Sequence, residues 1–315
     1  MQNRSIKSTK IIFFGTSDFA VPALKKLKDS GFVEIIAVVT QPDKPAGRKQ
    51  LPLTSPVKKA TLELGLKVLQ PEILNSTFHI PPADVFVVAS YGKMVPSEIL
   101  RIPRFGVLNI HPSLLPKYRG PSPIQTTILN RDKETGVTII KLDEEMDHGD
   151  IVAYSTFHIP YSIFYKDLHD KLAQVGAELL VQTLSNYIAG NIKPIPQDHQ
   201  KATFTKIITK QNGRINWSKS AEEIDAQVRA LHVWPVAWTT LHGKRLKIFD
   251  AASSPSPLAG EGGDEGLLNV KNGAIQVSTA RGLLKIKELQ LEGGKRLTAK
   301  EFANGHLGLV GKILK

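Results

Sequence analysis

Up to residue 190 the chain alternates two patterns. Short, continuous apolar runs at 11–15, 34–41, 85–90, 106–111 and 136–142 are predicted strands. Between them lie stretches whose apolar positions recur at helical spacing. Strands apolar on both faces and separated by helices belong to a mostly parallel sheet covered on each side, the Rossmann-like α/β class. Asp18 can cap the first helix, Pro22 suits its first turn and Gly31 can stop it. A second helix is expected over 57–65. A long one over 168–188 carries Leu168, Leu172, Val175, Leu179 and Ile188 on its inner face. Ligands of such sheets sit beyond the carboxyl ends of the strands, so chemistry is expected just after Gly15, Ser90 and His111.

The pattern changes past residue 190. Two prolines and many polar residues between 190 and 200 read as a linker. Ser220 with Glu223 three residues on is a capping-box signal for a helix. Short strand-like segments follow at 236–241, 245–251, 266–270, 274–279 and 283–291. Asn272-Gly273 is a hairpin signal, and the stretch 253–266 reads as a mobile loop. Many short strands in a small unit predict a β-barrel of the OB-like kind. The expected organisation is a flexible tail over 1–10, an α/β catalytic domain over 11–190, a linker over 191–206 and a smaller β-barrel domain over 207–315.

Composition narrows the function. The chain has 315 residues and no cysteine, which excludes disulfides, thiolate nucleophiles and cysteine-ligated metals. No apolar run approaches the ~20 residues that span a bilayer, and the basic start lacks the apolar core of a secretory signal. A cytoplasmic monomer with no membrane partner is expected. The formal net charge is +12, denser in the C-terminal third, and such an excess attracts polyanions.

The candidate chemistry is concentrated in two places. Asn109 and His111 are two apart on a strand, so their side chains share a face at its carboxyl end. Polar groups on an otherwise apolar strand must find partners, which is costly for a purely structural element. The second place is Met146-Asp147-His148-Gly149-Asp150, where a carboxylate on a turn could orient a histidine. The spacing of His148 and its neighbouring acids matches no standard metal-ligand set, so no metal is expected.

Together Asn109, His111 and Asp147, with Ser113-Leu114-Leu115-Pro116 and Arg119-Gly120, resemble the signature of the folate-dependent formyltransferases. Phe14-Gly15-Thr16-Ser17-Asp18-Phe19-Ala20-Val21-Pro22 is similar to the family's first strand and turn, although Ser17 and Asp18 stand where proline and glutamate are commoner. Pro112 stands where glycine is common. The resemblance runs from about residue 11 to the end. It implies that Asn109, His111 and Asp147 are catalytic, and that Ser113, Leu114, Leu115 and Pro116, with Tyr91 and Gly92 nearby, line the site of 10-formyltetrahydrofolate, the co-substrate.

The acceptor is suggested by Gln41-Pro42-Asp43-Lys44-Pro45-Ala46-Gly47-Arg48-Lys49. This stretch resembles the loop of those family members that act on initiator methionyl-tRNA. Lys44, Arg48 and Lys49 are then the tRNA-binding residues, although the loop after Arg48 departs from the usual length. Asn212-Gly213-Arg214-Ile215-Asn216-Trp217-Ser218 and Val233-Trp234-Pro235 resemble the opening of the family's second domain, with Trp217 and Trp234 as packing residues. Three readings compete with this one: a family member acting on an amino-sugar nucleotide, a non-catalytic RNA-binding module, and a nicotinamide oxidoreductase, which lacks its Gly-x-Gly-x-x-Gly pattern.

Overall fold

The computed structural model describes residues 9–46, 51–75, 77–254, 265–271, 273–306 and 308–315. The chain divides into two compact units. One comprises Met1–Pro123, Glu134–His158 and His169–Thr205; the other comprises Ile124–Lys133, Ile159–Leu168 and Lys206–Lys315.

In chain order the first elements are β1 (Thr9–Gly15), α1 (Val21–Asp29), β2 (Val33–Val39), β3 (Lys44–Ala46), β4 (Leu51–Leu53), α2 (Pro56–Glu63), β5 (Val68–Leu69), β6 (Val85–Ala89), α3 (Ser97–Leu100), β7 (Val107–His111), α4 (Pro123–Leu129), β8 (Glu134–Lys141), β9 (Ile151–His158) and α5 (Tyr165–Ile188). Seven strands form one sheet in the order β5-β2-β1-β6-β7-β8-β9. Pairing is parallel from β5 to β7 and antiparallel from β7 through β9. Ile11, Ile12, Phe13 and Phe14 of β1 are fully buried. Burial of side chains of this size is worth about 1.5–3 kcal/mol each, which makes the centre of the sheet the rigid part of the unit.

Several expectations change here. Asp18 does not cap α1. It lies in a short 3-10 turn (Asp18–Ala20), and its carboxylate accepts from the Phe19 amide at 3.1 Å. The buried stripe of α5 is Leu168, Leu172, Gly176, Leu180 and Leu184, with Ala173 and Ala177 beside it, whereas Val175, Leu179 and Ile188 are half-buried. Gly176 has a packing reason: an added Cβ would stand 2.7 Å from Ile110 Cγ2, so the helix lies close upon β7. Strand β9 was not expected. Apart from the buried Val152, its half-buried and exposed positions nearly alternate, as suits the edge of the sheet. The segment expected to be a linker is integral to the first unit through Thr205, and Gln197 within it is buried.

The second unit contains α6 (Ala221–Ala230), β10 (Ala237–Leu241), β11 (Lys244–Ser254), β12 (Leu268–Lys271), β13 (Ala274–Ser278), β14 (Leu283–Leu291), β15 (Arg296–Thr298) and α7 (Ala299–Gly305). Both helices start with complete capping boxes, Ser220 with Glu223 and Thr298 with Glu301. The strands are joined in the order β10-β11-β14-β13-β12, with β15 on β14. Trp217, Ile224, Leu246, Ile248, Ile275, Leu284 and Phe302 lie in one core.

The barrel expectation is corrected to this extent: among the described residues the named strands form an open five-strand path with β15 beside β14. The last residues reach both of its outer strands. Gly311 N donates to Leu268 O at 3.0 Å, Leu268 N to Lys312 O at 2.8 Å, and Leu314 N to Gly266 O at 2.9 Å. Thr240 of β10 exchanges two bonds with Lys315, at 2.8 and 3.2 Å. Trp217 is a core residue whose indole donates to Thr239 Oγ1, but Trp234 is half-exposed, against the packing role expected for it. Ser253 and Ser254, expected in a mobile loop, extend β11. The rest of that loop (255–264), Asn272 of the hairpin signal and residues 1–8 of the tail lie outside the described residues.

Candidate active site

The site is built on the carboxyl end of β7. Pleating places Asn109 and His111 on one face of the strand. The turn between β8 and β9 folds back to meet that face. Its Asp147 has a positive φ of 50°, a left-handed conformation that few residues other than glycine adopt. Asp147 Oδ1 is 3.5 Å from Asn109 Nδ2 and 3.5 Å from His111 Nδ1. Its other oxygen accepts the Gly120 amide at 2.8 Å. His111 is 4% exposed. Its Nε2 is 3.0 Å from the carbonyl of Tyr118. A carbonyl only accepts, so the hydrogen sits on Nε2, and Nδ1 is the nitrogen turned to Asp147.

The loop after β7 closes the site from below. Ser113 is fully buried and donates to the Lys117 carbonyl at 2.6 Å. Its own carbonyl accepts from Thr138 Oγ1, which in turn accepts the Leu115 amide. These bonds stiffen a turn that contains a cis Leu115-Pro116 bond. Leu115 is buried, while Leu114 and Pro116 are half-buried. Leu114 lies against Gly136 of β8, where an added Cβ would meet Leu114 Cδ2 at 2.6 Å and the Ser155 carbonyl oxygen at 2.0 Å. Leu114 and Pro116 are therefore the members of this set left with free apolar surface, and Ser113 shapes the loop from inside.

Tyr91 and Gly92 follow β6. The Tyr91 ring is 2% exposed and packs edge-on against Phe14, with centroids 5.6 Å apart, so it belongs to the core. Burial pushes the Tyr91 phenol up, and its hydroxyl has no hydrogen-bond partner. Only its backbone reaches the edge of the sheet: the Tyr91 carbonyl accepts from Thr16 Oγ1 at 2.8 Å and from Gln41 Nε2 at 2.7 Å. Gly92 is exposed with φ of 80°, and a Cβ there would strike Gln41 Nε2 at 2.6 Å.

The basic stretch is partly described. Lys44 is exposed on β3, which pairs with β4 as a small hairpin, and its ammonium donates to Gln41 Oε1 at 3.3 Å. Hydrogen bonds from Lys58 and Gln70 hold the Asp43 carboxyl below its ordinary range and tie the hairpin base to the sheet. Arg48 and Lys49 lie outside the described residues.

Two residues near the site, Gln197 and His199, carried little signal in the sequence, unlike Arg119 of the signature. Gln197, Arg119 and His199 form a chain of bonds beside Asp147. Gln197 sat in a segment of linker composition, and only a buried amide with both ends engaged reveals it. A second cluster outside the site joins His169, 6% exposed, to Asp170 at 2.9 Å and Asp18 at 3.4 Å. Burial opposes charge on His169, but the two carboxylates outweigh it and raise its pKa. Among the described residues no group of three or more His, Asp or Glu is placed to hold a metal, and no helix is long and apolar enough to cross a membrane.

Comparison with known proteins fits this geometry. Residues 9–184 match the formyl transferase family, and residues 207–307 match the formyl transferase C-terminal domain. Fold and site thus define a formyltransferase of the two-domain kind. Methionyl-tRNA formyltransferase of Caldicellulosiruptor saccharolyticus is 42% identical over 311 residues, covering 96% of this chain and 99% of the relative. That of Bacillus subtilis is 40% identical, covering 97% and 98%. The chain belongs to the methionyl-tRNA formyltransferase family. Solved structures share the fold at lower identity. The N-formyltransferase of Helicobacter canadensis, solved with folinic acid and dTDP-3-aminofucose, gives a TM-score of 0.66 at 20% identity, covering 92% of this chain and all of that one. HypX of Aquifex aeolicus, solved with tetrahydrofolic acid, gives 0.63 at 19%; the chain covers 48% of HypX.

Proposed function

We propose that this enzyme transfers the formyl group of 10-formyltetrahydrofolate to the α-amino group of initiator methionyl-tRNA, a step of translation initiation in the cytoplasm. The observation that carries the reading is the convergence of Asn109 Nδ2 and His111 Nδ1 on one oxygen of Asp147, 3.5 Å from each. Two nitrogens and a carboxylate at one point supply both the donors and the acceptor that formyl transfer needs.

The acceptor nitrogen must be neutral to attack, and a free α-amino group has a pKa of only about 7.7–8.0. Its lone pair adds to the formyl carbon, and the carbonyl electron pair moves to oxygen. Asn109 Nδ2–H and a protonated His111 Nδ1 donate to that oxygen; a donor aimed at a developing oxyanion is worth about 2.7–4 kcal/mol. Asp147 accepts the proton shed by the amine, directly or through one water. Collapse re-forms the carbonyl and breaks the bond to nitrogen 10 of the folate, which takes up a proton. No covalent enzyme intermediate is involved.

Leu114 and Pro116, with the backbone at Tyr91 and Gly92, are assigned to the folate side, and Ser113 and the buried Leu115 to the shape of that loop. Lys44, Arg48 and Lys49 are assigned to the tRNA. Residues 11–190 carry the chemistry and 207–315 hold tRNA. The second unit reads as an OB-like barrel whose ring of hydrogen bonds passes through residues 311–315, since that segment bonds to the strands at both ends of the open path. One chain supplies every residue of the site, so a monomer suffices.

The test is incubation of the protein with 10-formyltetrahydrofolate and charged initiator methionyl-tRNA, followed by recovery of formyl-methionine. Transfer by the wild type that disappears in His111→Ala supports the reading. A wild type that binds folate but formylates only amino-sugar nucleotides overturns the acceptor. One that neither binds folate nor transfers formyl overturns the enzyme.

A further inference from the structure

Asp147 can act on His111 only while its turn keeps an unfavourable backbone conformation. Its side chain is anchored by Gly120, but the φ of 50° must be held through the backbone. Gln197 does this. Its Nε2 donates to the carbonyl of Asp147 at 2.9 Å and to that of Gly149 at 2.7 Å, on either side of His148. Its Oε1 accepts from Arg119 Nε at 3.1 Å and Nη2 at 2.7 Å. All four bonds agree on which end of the amide is oxygen, because a guanidinium only donates and a carbonyl only accepts.

Arg119 is fixed in turn. It is 4% exposed, its Nη2 donates to His199 Nδ1 at 2.8 Å, and its backbone is bonded to Thr203 and Thr205. The His199 ring stacks on His148 at 4.0 Å, and His148 Nδ1 donates to Asp143 at 2.6 Å. The turn that carries Asp147 is thus gripped from outside by one amide, which is itself clamped by one guanidinium.

We propose that Gln197 is a positioning residue for Asp147, and that Arg119 acts through it by fixing the orientation of the amide. The inference rests on the formyl-transfer reading and concerns how the carboxylate of that site is aimed. Gln197 touches no reacting atom. Its effect falls on the chemical step and leaves substrate binding unchanged, because a displacement of about 1 Å at a reacting group can cost 10²-fold in rate.

The test is Gln197→Glu. The variant keeps the size of the side chain and its bond to Arg119. It replaces the two N–H donors by a carboxylate oxygen facing two carbonyl oxygens, so the turn is pushed away while the interior stays filled. Formyl transfer by the wild type is measured first, since its absence would sink the functional reading and leave this inference to one structural readout: hydrogen exchange at amides 143–150, faster in the variant. With an active wild type, the expected result is kcat lowered about 10-fold or more, with both KM values within about threefold. A variant with wild-type kcat overturns the proposal. So does one in which both KM values rise by as much as kcat falls, which is the signature of a merely structural residue. Should Gln197→Glu fail to fold, Arg119→Lys is judged by the same criteria: it keeps the charge and loses the two-point grip on Oε1.

Discussion

Substituting Gly136 by alanine tests whether the approach of β9 and Leu114 to β8 governs both stability and the folate side of the site. The added Cβ would lie 2.0 Å from the Ser155 carbonyl oxygen and 2.6 Å from Leu114 Cδ2. Contacts below about 3 Å are not tolerated, so β9 must retreat by roughly 1 Å around the Val137 and Ser155 pair. A ladder bond stretched that far no longer satisfies hydrogen-bond geometry. Loss of two such bonds at about 1 kcal/mol each, with about 1 kcal/mol for partial exposure of Leu114, gives a destabilisation of about 3 kcal/mol. For a chain of this size that lowers the melting temperature by about 6–12 °C. The assay is thermal unfolding of the full chain followed by circular dichroism, with Gly305→Ala, which meets nothing within 4 Å, as the control that adds a methyl group without a clash. Displacement of Leu114 should also raise KM for the formyl donor while leaving KM for the tRNA unchanged. A Gly136→Ala melt within about 2 °C of wild type would refute the reasoning, because β9 would then have yielded without loss.

Two further predictions follow from buried charge. His169 has its pKa raised by Asp18 and Asp170, so its contribution to stability is fully present below the ordinary histidine value of about 6.5 and is lost as pH rises through the folded value; the stability gap between wild type and His169→Gln should be wider at pH 6 than at pH 9 in denaturant titrations, and an equal gap would refute the assignment. Asp225 and Arg229 form an ion pair at 3.1 Å with both residues 4% exposed, so Asp225→Ala should cost about 3 kcal/mol in denaturant unfolding by stranding a buried guanidinium whose Nη2 already lacks a partner.

How much was legible in the sequence depends on whether a residue acts alone or through a distant partner. The strands over 11–15, 85–90 and 106–111 announced themselves because they are apolar on both faces, and the Ser220 and Glu223 box because its bonds span three residues. Asn109 and His111 were legible as a pair because pleating fixes their shared face. The approach of Asp147 could not be derived from spacing: its acidic turn was a candidate on chemistry alone, but its meeting with Asn109 and His111 depends on a fold-back turn with a positive φ, and only resemblance to a family joined the three. Gln197 was hidden for the same reason, in a stretch whose prolines suggest a linker. Helix α5 misled because several of its apolar residues lie off the buried stripe, while Gly176, the residue of closest approach, scores as polar or neutral in any periodicity count. Tyr91 shows the converse error: proximity in the chain to the site edge does not say which way a side chain turns, and the ring went into the core.

The tie between residues 311–315 and the outer strands β10 and β12 bears on how the second unit behaves in a crowded solution. An outer strand with unpaired amides and carbonyls is a template on which other chains can add. Here five residues occupy part of both templates at once. Loss of residues 311–315 by proteolysis would uncover two adhesive borders together. The damage would then show as self-association of the clipped protein before it showed as lost activity.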